Sequence, residues 1–468
     1  MQVSSIHFKA TAAKKLHEPV LQKSLERFSE RFVDARARAI AELDNFEDIR
    51  ETARQIRDRS LANLDVYLER FEKAATARGA VVHWAETRED VNRMVVEIAR
   101  QHRVKTAIKS KSMVTEECAL NEALEQAGIH VIETDLGEYI LQLAKEPPSH
   151  IVAPVVHKSK DEVSDLFERV HGRTRKTDIN ELTREAREIL RPHFLSADMG
   201  ISGANFFIAE TGSTLIVTNE GNGRLTTTMP RVHVAVTGIE KVVGTLEDVA
   251  TLMRLLPRSA TGQSITNYLS ITTGARAAGE TDGPEHFHIV LVDAGRTGLL
   301  GGAFQPMLRC IRCGACMNHC PVYQSIGGHA YGWVYPGPMG SVLTPSYIGL
   351  ENAPELPFAA TLCNQCGVVC PVKIPLPELL RKLREKSVER GLRPWHERAA
   401  LLAWRFAAER PQLYAIATRI ATRMLKWMAA EEGRIASLPL LSGWTNERDF
   451  PAPEGKTFRE LYRARRAP

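Results

Sequence analysis

No stretch of this 468-residue chain approaches the run of about 20 apolar residues that a membrane-spanning helix needs, so an integral membrane protein of that type is not expected. The opening, MQVSSIHFKATAAKKLHEP, has no apolar core and no small-residue cleavage site. A secretory leader is therefore not expected, and the chain is expected in the cytoplasm. Neither a G-x-G-x-x-G fingerprint nor a Walker phosphate loop is present, and no flavin motif is visible. No recognisable nucleic-acid-binding motif occurs, so nucleic acid is not an expected partner. Cysteine is scarce outside two short segments. Of eight, seven are Cys310, Cys313, Cys316, Cys320, Cys363, Cys366 and Cys370. A disulfide framework would not crowd into two places of so long a chain, and a reducing cytosol disfavours it. Cys118, in TEECALNEALEQAG, reads as a small buried helix residue.

What remains is an ordinary folded composition, with 44% hydrophobic and 25% charged residues, at a length that favours two or three domains. From Lys14 to Arg78 apolar residues recur every three or four positions among many charges, which predicts a helical arm within residues 1–78. Packing against the next domain is the plainer role for it, and partner binding the alternative. Residues 79–300 alternate β-branched runs (AVVHWA, KTAIKS, IHVIETD, HIVAPVV, STLIVTN, VHVAVTG, SITNYLSIT, HFHIVLVD) with helical segments such as TREDVNRMVVEIARQHR and LEDVATLMRLL. That texture predicts an α/β domain with a mainly parallel central sheet. Residues 301–380 are rich in Gly, Pro and Cys and too poor in apolar residues to order themselves by burial alone, so a bound inorganic core is expected there. Residues 381–468 read as a basic helical region ending in a loop-rich tail. From Val372 onward there are 20 Lys+Arg against 11 Asp+Glu, a surplus of +9 in a chain whose net charge is +5.

The first cysteine segment, Cys310-Ile-Arg-Cys313-Gly-Ala-Cys316-Met-Asn-His-Cys320-Pro321, has the bacterial ferredoxin spacing, in which three thiolates hold one cluster and the fourth reaches its neighbour. The second, Cys363-Asn-Gln-Cys366-Gly-Val-Val-Cys370-Pro371, repeats it without a first cysteine, and Ala360 stands where Cys310 stands. Exchange of the last ligands gives Cys310, Cys313, Cys316 and Cys370 to cluster one. Cys320, Cys363 and Cys366 remain for cluster two, one thiolate short. Two iron-sulfur clusters are expected, both 4Fe-4S, the second with a non-cysteine or open fourth position. A zinc ribbon is the competing reading, but zinc sites pair two Cys-x-x-Cys knuckles, and three cysteines at successive spacings of three followed by Cys-Pro fit a single tetrahedral ion poorly. His319, beside Cys320, is one candidate for completing cluster two, although a surface position or a supporting role beside the ligands is the plainer reading.

In the α/β domain, Glu210 lies in IAETGS, and Asn219, Glu220, Asn222 and Arg224 lie in TNEGNGR. Glycines at strand ends let the backbone approach an anion, and Arg224 could pair with a carboxylate or phosphate. A tight turn whose polar residues cap strands explains the same residues equally well. His286 and His288 alternate on one strand and share a face; with no third ligand nearby in sequence, structural histidines are favoured.

Taken together, IAETGSTLIVTNEGNGR, GPEHFHIVLVDAGR, RCIRCGACMNHCPVYQSIGGHAYGWVYPGPMGSVLTP and LCNQCGVVCPVKIPLPELL resemble the lactate utilization protein B family, iron-sulfur subunits of a bacterial L-lactate oxidising system. The likeness spans nearly the whole chain, and the missing first cysteine of the second motif belongs to the family pattern. The resemblance implies an α/β domain related to ribose-isomerase and coenzyme-A-transferase folds, a two-cluster ferredoxin-like segment and a helical tail. It also implies a complex with two sister proteins that takes L-lactate to pyruvate. An electron relay is the expected role. The alternatives are an enzyme whose own α/β domain binds an anionic substrate near Glu210–Arg224, and a scaffold with redox-silent clusters. The basic tail is expected to dock on an acidic partner or membrane surface.

Overall fold

Apolar residues spaced three and four apart fold the first part of the chain into the helices Phe8–Lys15, Pro19–Ala41, Phe46–Ala62 and Leu64–Thr76. The computed structural model describes residues 3–429, 433–438, 445 and 448–466. Parts of the expected loop-rich tail, at 430–432, 439–444, 446–447 and 467–468, lie outside the described residues.

The strands that follow are β1 (Ala80–Ala85), β2 (Thr106–Lys109), β3 (His130–Glu133), β4 (Met199–Ser202), β5 (Phe206–Ile208), β6 (Ser213–Thr218), β7 (Val232–Gly238), β8 (Val242–Val243), β9 (Tyr268–Thr272) and β10 (His286–Val292). Six of them form one sheet in the order β1-β10-β7-β4-β2-β3, parallel at every pairing. A second sheet, β8-β5-β6-β9, is mixed, with β5–β8 parallel and β5–β6 and β6–β9 antiparallel. The chain is thus α/β with a central parallel sheet. Every residue of β7 is buried, as expected of a central strand covered on both faces. The helix Arg88–Gln101 starts from a capping box between Thr87 and Asp90 and lays Val91, Val95 and Ile98 on the sheet.

Two local expectations fail for identifiable reasons. HIVAPVV is a series of turns: His150 Nδ1 accepts from the Val152 and Ala153 amides, both at 3.0 Å, which curls the chain before Pro154. The strands β4 and β5 were not predicted because they span only four and three residues in a glycine-containing stretch. Gly200 is needed in β4, since a Cβ there would lie 1.9 Å from the Thr226 carbonyl oxygen.

All six strands of the main sheet end at the same edge, which gathers the segments after Ala85, Lys109, Glu133, Ser202, Gly238 and Val292. In open parallel sheets this carboxyl edge is where ligands bind. The segment from Gly301 to Lys386 packs within the same compact unit, Met1–Lys386. Ser387–Pro468 forms a second unit. It holds the helices Trp395–Ala408, Pro411–Met428 and Phe458–Arg466 and a short strand pair, Arg434–Ile435 with Phe450–Pro451.

Candidate metal centre

The two cysteine segments adopt matching backbones. Arg312 and Gly314 are left-handed (φ 59° and 76°) ahead of the short helix Ala315–Asn318; Leu362 and Asn364 are left-handed (φ 56° and 66°) ahead of Gln365–Val368. Glycine takes this region freely and asparagine is among the side chains that tolerate it best, so Asn364 can stand where the first motif has Gly314.

The thiols fall into two cavities. Cys310, Cys313, Cys316 and Cys370 line the first, together with Met307, Ile311 and Ile374. Cys320, Cys363 and Cys366 line the second, with His319, Thr361 and Ala360, the last in the place equivalent to Cys310. The last cysteine of each motif has thus crossed to the other cavity. In the first, burial and then the neighbouring thiol Cys370 push Cys313 up to about 12, and burial first pushes Cys370 up to about 11. Four thiols in an apolar hollow ionise together only around a cation, so this donor set fits an iron-sulfur core. Backbone amides already serve the sulfurs: Arg312 N–H donates to Cys310 Sγ at 3.4 Å and Ile374 N–H to Cys370 Sγ at 3.3 Å.

Cations brace the first cavity from several elements. Arg36 donates to the Val369 carbonyl at 2.8 Å. Arg50 reaches the carbonyls of Val368 at 2.8 Å and Cys370 at 2.7 Å. Arg57, fully buried, donates to the carbonyls of Leu308 at 3.1 Å and Val242 at 3.1 Å. Lys241 donates to the Cys310 carbonyl, and burial lowers its ammonium to about 7. The helical arm therefore clamps both cysteine segments. Sequence reasoning missed these residues, although Arg50 and Arg57 stand seven apart in the stripe that also carries Ile49, Ala53 and Ile56.

The second cavity is more open. Cys363 is exposed, and its thiol is lowered by the Gln365 amide and then the Thr361 hydroxyl. His319 Nδ1 lies 2.9 Å from the Ala315 carbonyl, which assigns its proton to Nδ1 and leaves Nε2 without one. Cys118 is buried and lines neither cavity.

The α/β candidates are dispersed. Glu210 Oε1 accepts from the Leu246 amide at 2.7 Å and so caps the helix Leu246–Thr261. Glu220 Oε2 lies 3.4 Å from the Leu136 amide at the start of another helix, Leu136–Ala144. Asn219 and Arg224 are exposed and Asn222 is buried.

His286 and His288 do acquire company: His83 Nε2 is 3.1 Å from His288 Nδ1, and His102 Nε2 is 3.2 Å from His288 Nε2. Burial, then His83, His102 and His286, lowers His288 to about 4. Burial and then His288 lower His233 to about 3, with Ser202 Oγ at 2.8 Å from its Nε2. Unfolded histidines titrate near 6.5, so the stability these neutral rings contribute is complete above about pH 6.5 and is lost as pH falls towards about 4. The urea midpoint should therefore drop between about pH 7.5 and about pH 5, and His288→Gln should flatten that slope. Equal slopes in the two proteins would show that His288 is not held neutral.

Three family profiles match the chain in order: LUD domain over residues 68–292, 4Fe-4S dicluster domain over 306–374, and lactate utilisation protein B, C-terminal, over 380–467. Lactate utilization protein B of Geobacillus kaustophilus (strain HTA426) is 48% identical over 429 residues, covering 91% of this chain and 90% of that protein. The protein of the same name from Lysinibacillus sphaericus (strain C3-41) is 44% identical over 467 residues, 99% of this chain and 98% of the relative. Among solved structures, a DUF162 family protein from Deinococcus radiodurans aligns with 49% of this chain and 98% of its own at 13% identity, with a TM-score of 0.27. Such identity over nearly the full length, with a dicluster profile over both cysteine segments, means that this chain belongs to the lactate utilization protein B family and is an iron-sulfur component of lactate utilization.

Proposed function

We propose that this protein is the electron-transfer component of a cytoplasmic system that oxidises L-lactate to pyruvate. Cys310, Cys313, Cys316 and Cys370 would hold one 4Fe-4S cluster. Cys320, Cys363 and Cys366 would hold a second, completed by a non-cysteine ligand or left open at one iron. The crossing of Cys370 and Cys320 between the two cavities carries this reading, because a zinc ribbon gives no reason for the exchange. Bound clusters supply one-electron steps with little rearrangement, and the protein tunes their potential through hydrogen bonds and solvent exposure. The Arg312 and Ile374 amides, with the cations Arg36, Arg50, Arg57 and Lys241, supply that tuning at the first site. Sister proteins of the lactate system are the proposed partners. Anaerobic reconstitution followed by EPR, with and without those proteins and L-lactate, tests the proposal. Reduction of the clusters by lactate in the assembled system is expected; clusters that stay silent would point to a scaffold.

The basic region after Val372 is the proposed docking surface for an acidic partner or membrane surface. Arg384 is not part of it, since it donates to the carbonyls of Pro357 and Ala360, both at 2.8 Å, and so braces the second cavity. Arg381 and Lys382 sit on the same helix, where they pair with Glu385 and Glu378. Charge reversal at these two should weaken co-purification with a sister protein while leaving the iron content intact, and unchanged assembly would remove the proposal.

A further inference from the structure

The carboxyl edge of the parallel sheet carries buried charge that the metal centre does not use. Lys109 ends β2 with no exposed surface, its Nζ 2.6 Å from Glu116 Oε1 and 2.8 Å from Glu133 Oε1. Glu133 ends β3 and accepts from Asn121 Nδ2 at 2.7 Å. Glu138, in the helix Leu136–Ala144, is only 8% exposed, and its Oε2 has no hydrogen-bond partner among the described residues. Burial, then the Glu133 charge, raises the Glu138 carboxyl well above its usual range, which leaves it neutral with an unused donor. Such a group costs about 1–3 kcal/mol, and native interiors keep few of them.

Glu138 faces a cavity. Lys111 and Glu116 line it beside Glu138, and Met113, Ile151 and Val334 form its apolar wall. Lys111 is half-buried, with Nζ held 2.7 Å from the Val152 carbonyl. His150 also borders the space but is fully used. Its Nδ1 accepts two amides, so its Nε2 proton faces Asn318 Oδ1 at 2.9 Å. Ile151 lines the first cysteine cavity as well, so one side chain borders both spaces. An ammonium and a neutral carboxylic acid together suit a carboxylate, the Glu116 oxygen accepts from a hydroxyl, and the apolar wall suits a short alkyl group.

We propose that this cavity binds a small 2-hydroxy- or 2-oxo-carboxylate, its carboxylate on Lys111 and Glu138 and its alkyl end against Met113, Ile151 and Val334. The choice of acid rests on the lactate-linked reading above. It moves the anion site from Glu210–Arg224 to the loops after β2 and β3.

The test uses the full chain, reconstituted anaerobically and titrated with L-lactate and with pyruvate by calorimetry and saturation-transfer NMR. Saturable binding is expected, weakened about tenfold or more by Lys111→Met and by Glu138→Ala, while Glu138→Gln, which keeps a donor, stays within about threefold. Met113→Trp, at a half-buried wall position, should block binding without touching the buried charges, and it decides the matter if Lys111→Met does not fold. Lactate should also shift the EPR spectrum of the cluster beside Ile151. Binding that survives both Lys111→Met and Met113→Trp, or that Arg224→Ala abolishes, overturns the site. Wild-type protein that binds neither acid, yet is reduced by lactate and the sister proteins, also overturns it and leaves the relay standing. Bound lactate beside silent clusters supports the site and removes the relay.

Discussion

Replacing Arg296 by methionine should lower the unfolding free energy by about 3 kcal/mol or more, at the lower end of the 3–5 kcal/mol expected when one partner of a buried ion pair is removed. Arg296 follows β10 and is completely buried; it donates to Glu117 Oε2 at 2.9 Å and Oε1 at 3.2 Å, to Glu240 Oε2 at 2.8 Å and to the Asp293 carbonyl at 2.9 Å. Tyr335, from the dicluster segment, donates to Glu117 Oε2 at 2.5 Å. The guanidinium therefore joins the ends of β7 and β10 to the segment that carries the cysteines. Burial alone would raise the Glu240 carboxyl; Arg296 first, then Lys241 and Arg312, hold it at about 2. Other cations soften the loss without removing it. Arg88 is 3.6 Å from Glu117, Lys241 3.7 Å from Glu240 and Arg312 3.9 Å from Glu240, all at longer range than Arg296. Chemical denaturation of the reconstituted protein measures the effect. Adding Glu117→Gln to Arg296→Met should recover part of the loss, because one stranded carboxylate is then gone. A loss under about 1 kcal/mol, with no recovery in the double variant, would mean that the neighbouring cations already suffice.

The features legible in the sequence are those set by short-range pattern. The helical arm, the parallel strands in AVVHWA, KTAIKS, IHVIETD, VHVAVTG and HFHIVLVD and the grouping of thiols all follow from periodicity or from spacings of two and three residues, whereas STLIVTN and SITNYLSIT pair antiparallel in the second sheet. What the sequence hid depends on distant partners. Packing of the arm against the next domain is expected from the pattern, but periodicity cannot tell that Arg50 and Arg57 point inward, where carbonyls of Val368, Cys370 and Leu308 receive them. The burial of Lys109 at the end of β2 could not be seen, because Glu116 and Glu133, which surround it, come from the helix after β2 and from the neighbouring strand. HIVAPVV misleads because its β-branched residues outweigh two local signals, Pro154 and an imidazole that accepts its own following amides. The histidine chain was invisible for the same reason as Lys109: His83 and His102 lie about 200 residues from His288 along the chain and beside it in space.

Air-exposed protein should show a three-iron EPR signal that disappears on anaerobic reconstitution with iron, because the second cavity offers three thiols to a core that needs four ligands. The first cavity has its full set, with Cys313 and Cys370 buried and Arg36, Arg50 and Arg57 holding the surrounding carbonyls. At the second, Ala360 occupies the place of the missing cysteine, and Cys363 is exposed with its thiol lowered by the Gln365 amide and then the Thr361 hydroxyl, which opens it to oxidants. Cys363→Ser should therefore change the three-iron signal, whereas Cys313→Ser should leave it while removing the signal of the other cluster. His319 divides the remaining possibilities. Its Nδ1 proton is held by the Ala315 carbonyl, as metal-bound imidazoles commonly are, so Nε2 could complete the site. If it does, His319→Ala should raise the three-iron fraction in protein handled without oxygen; if the fraction is unchanged, the fourth position is open or filled from outside the chain. Two four-iron clusters equally resistant to air, or a role for Cys118 as ligand, would defeat the expectation. The second is hard to reconcile with a thiol that burial, then Glu117, pushes up to about 12 at a place bordering neither cavity.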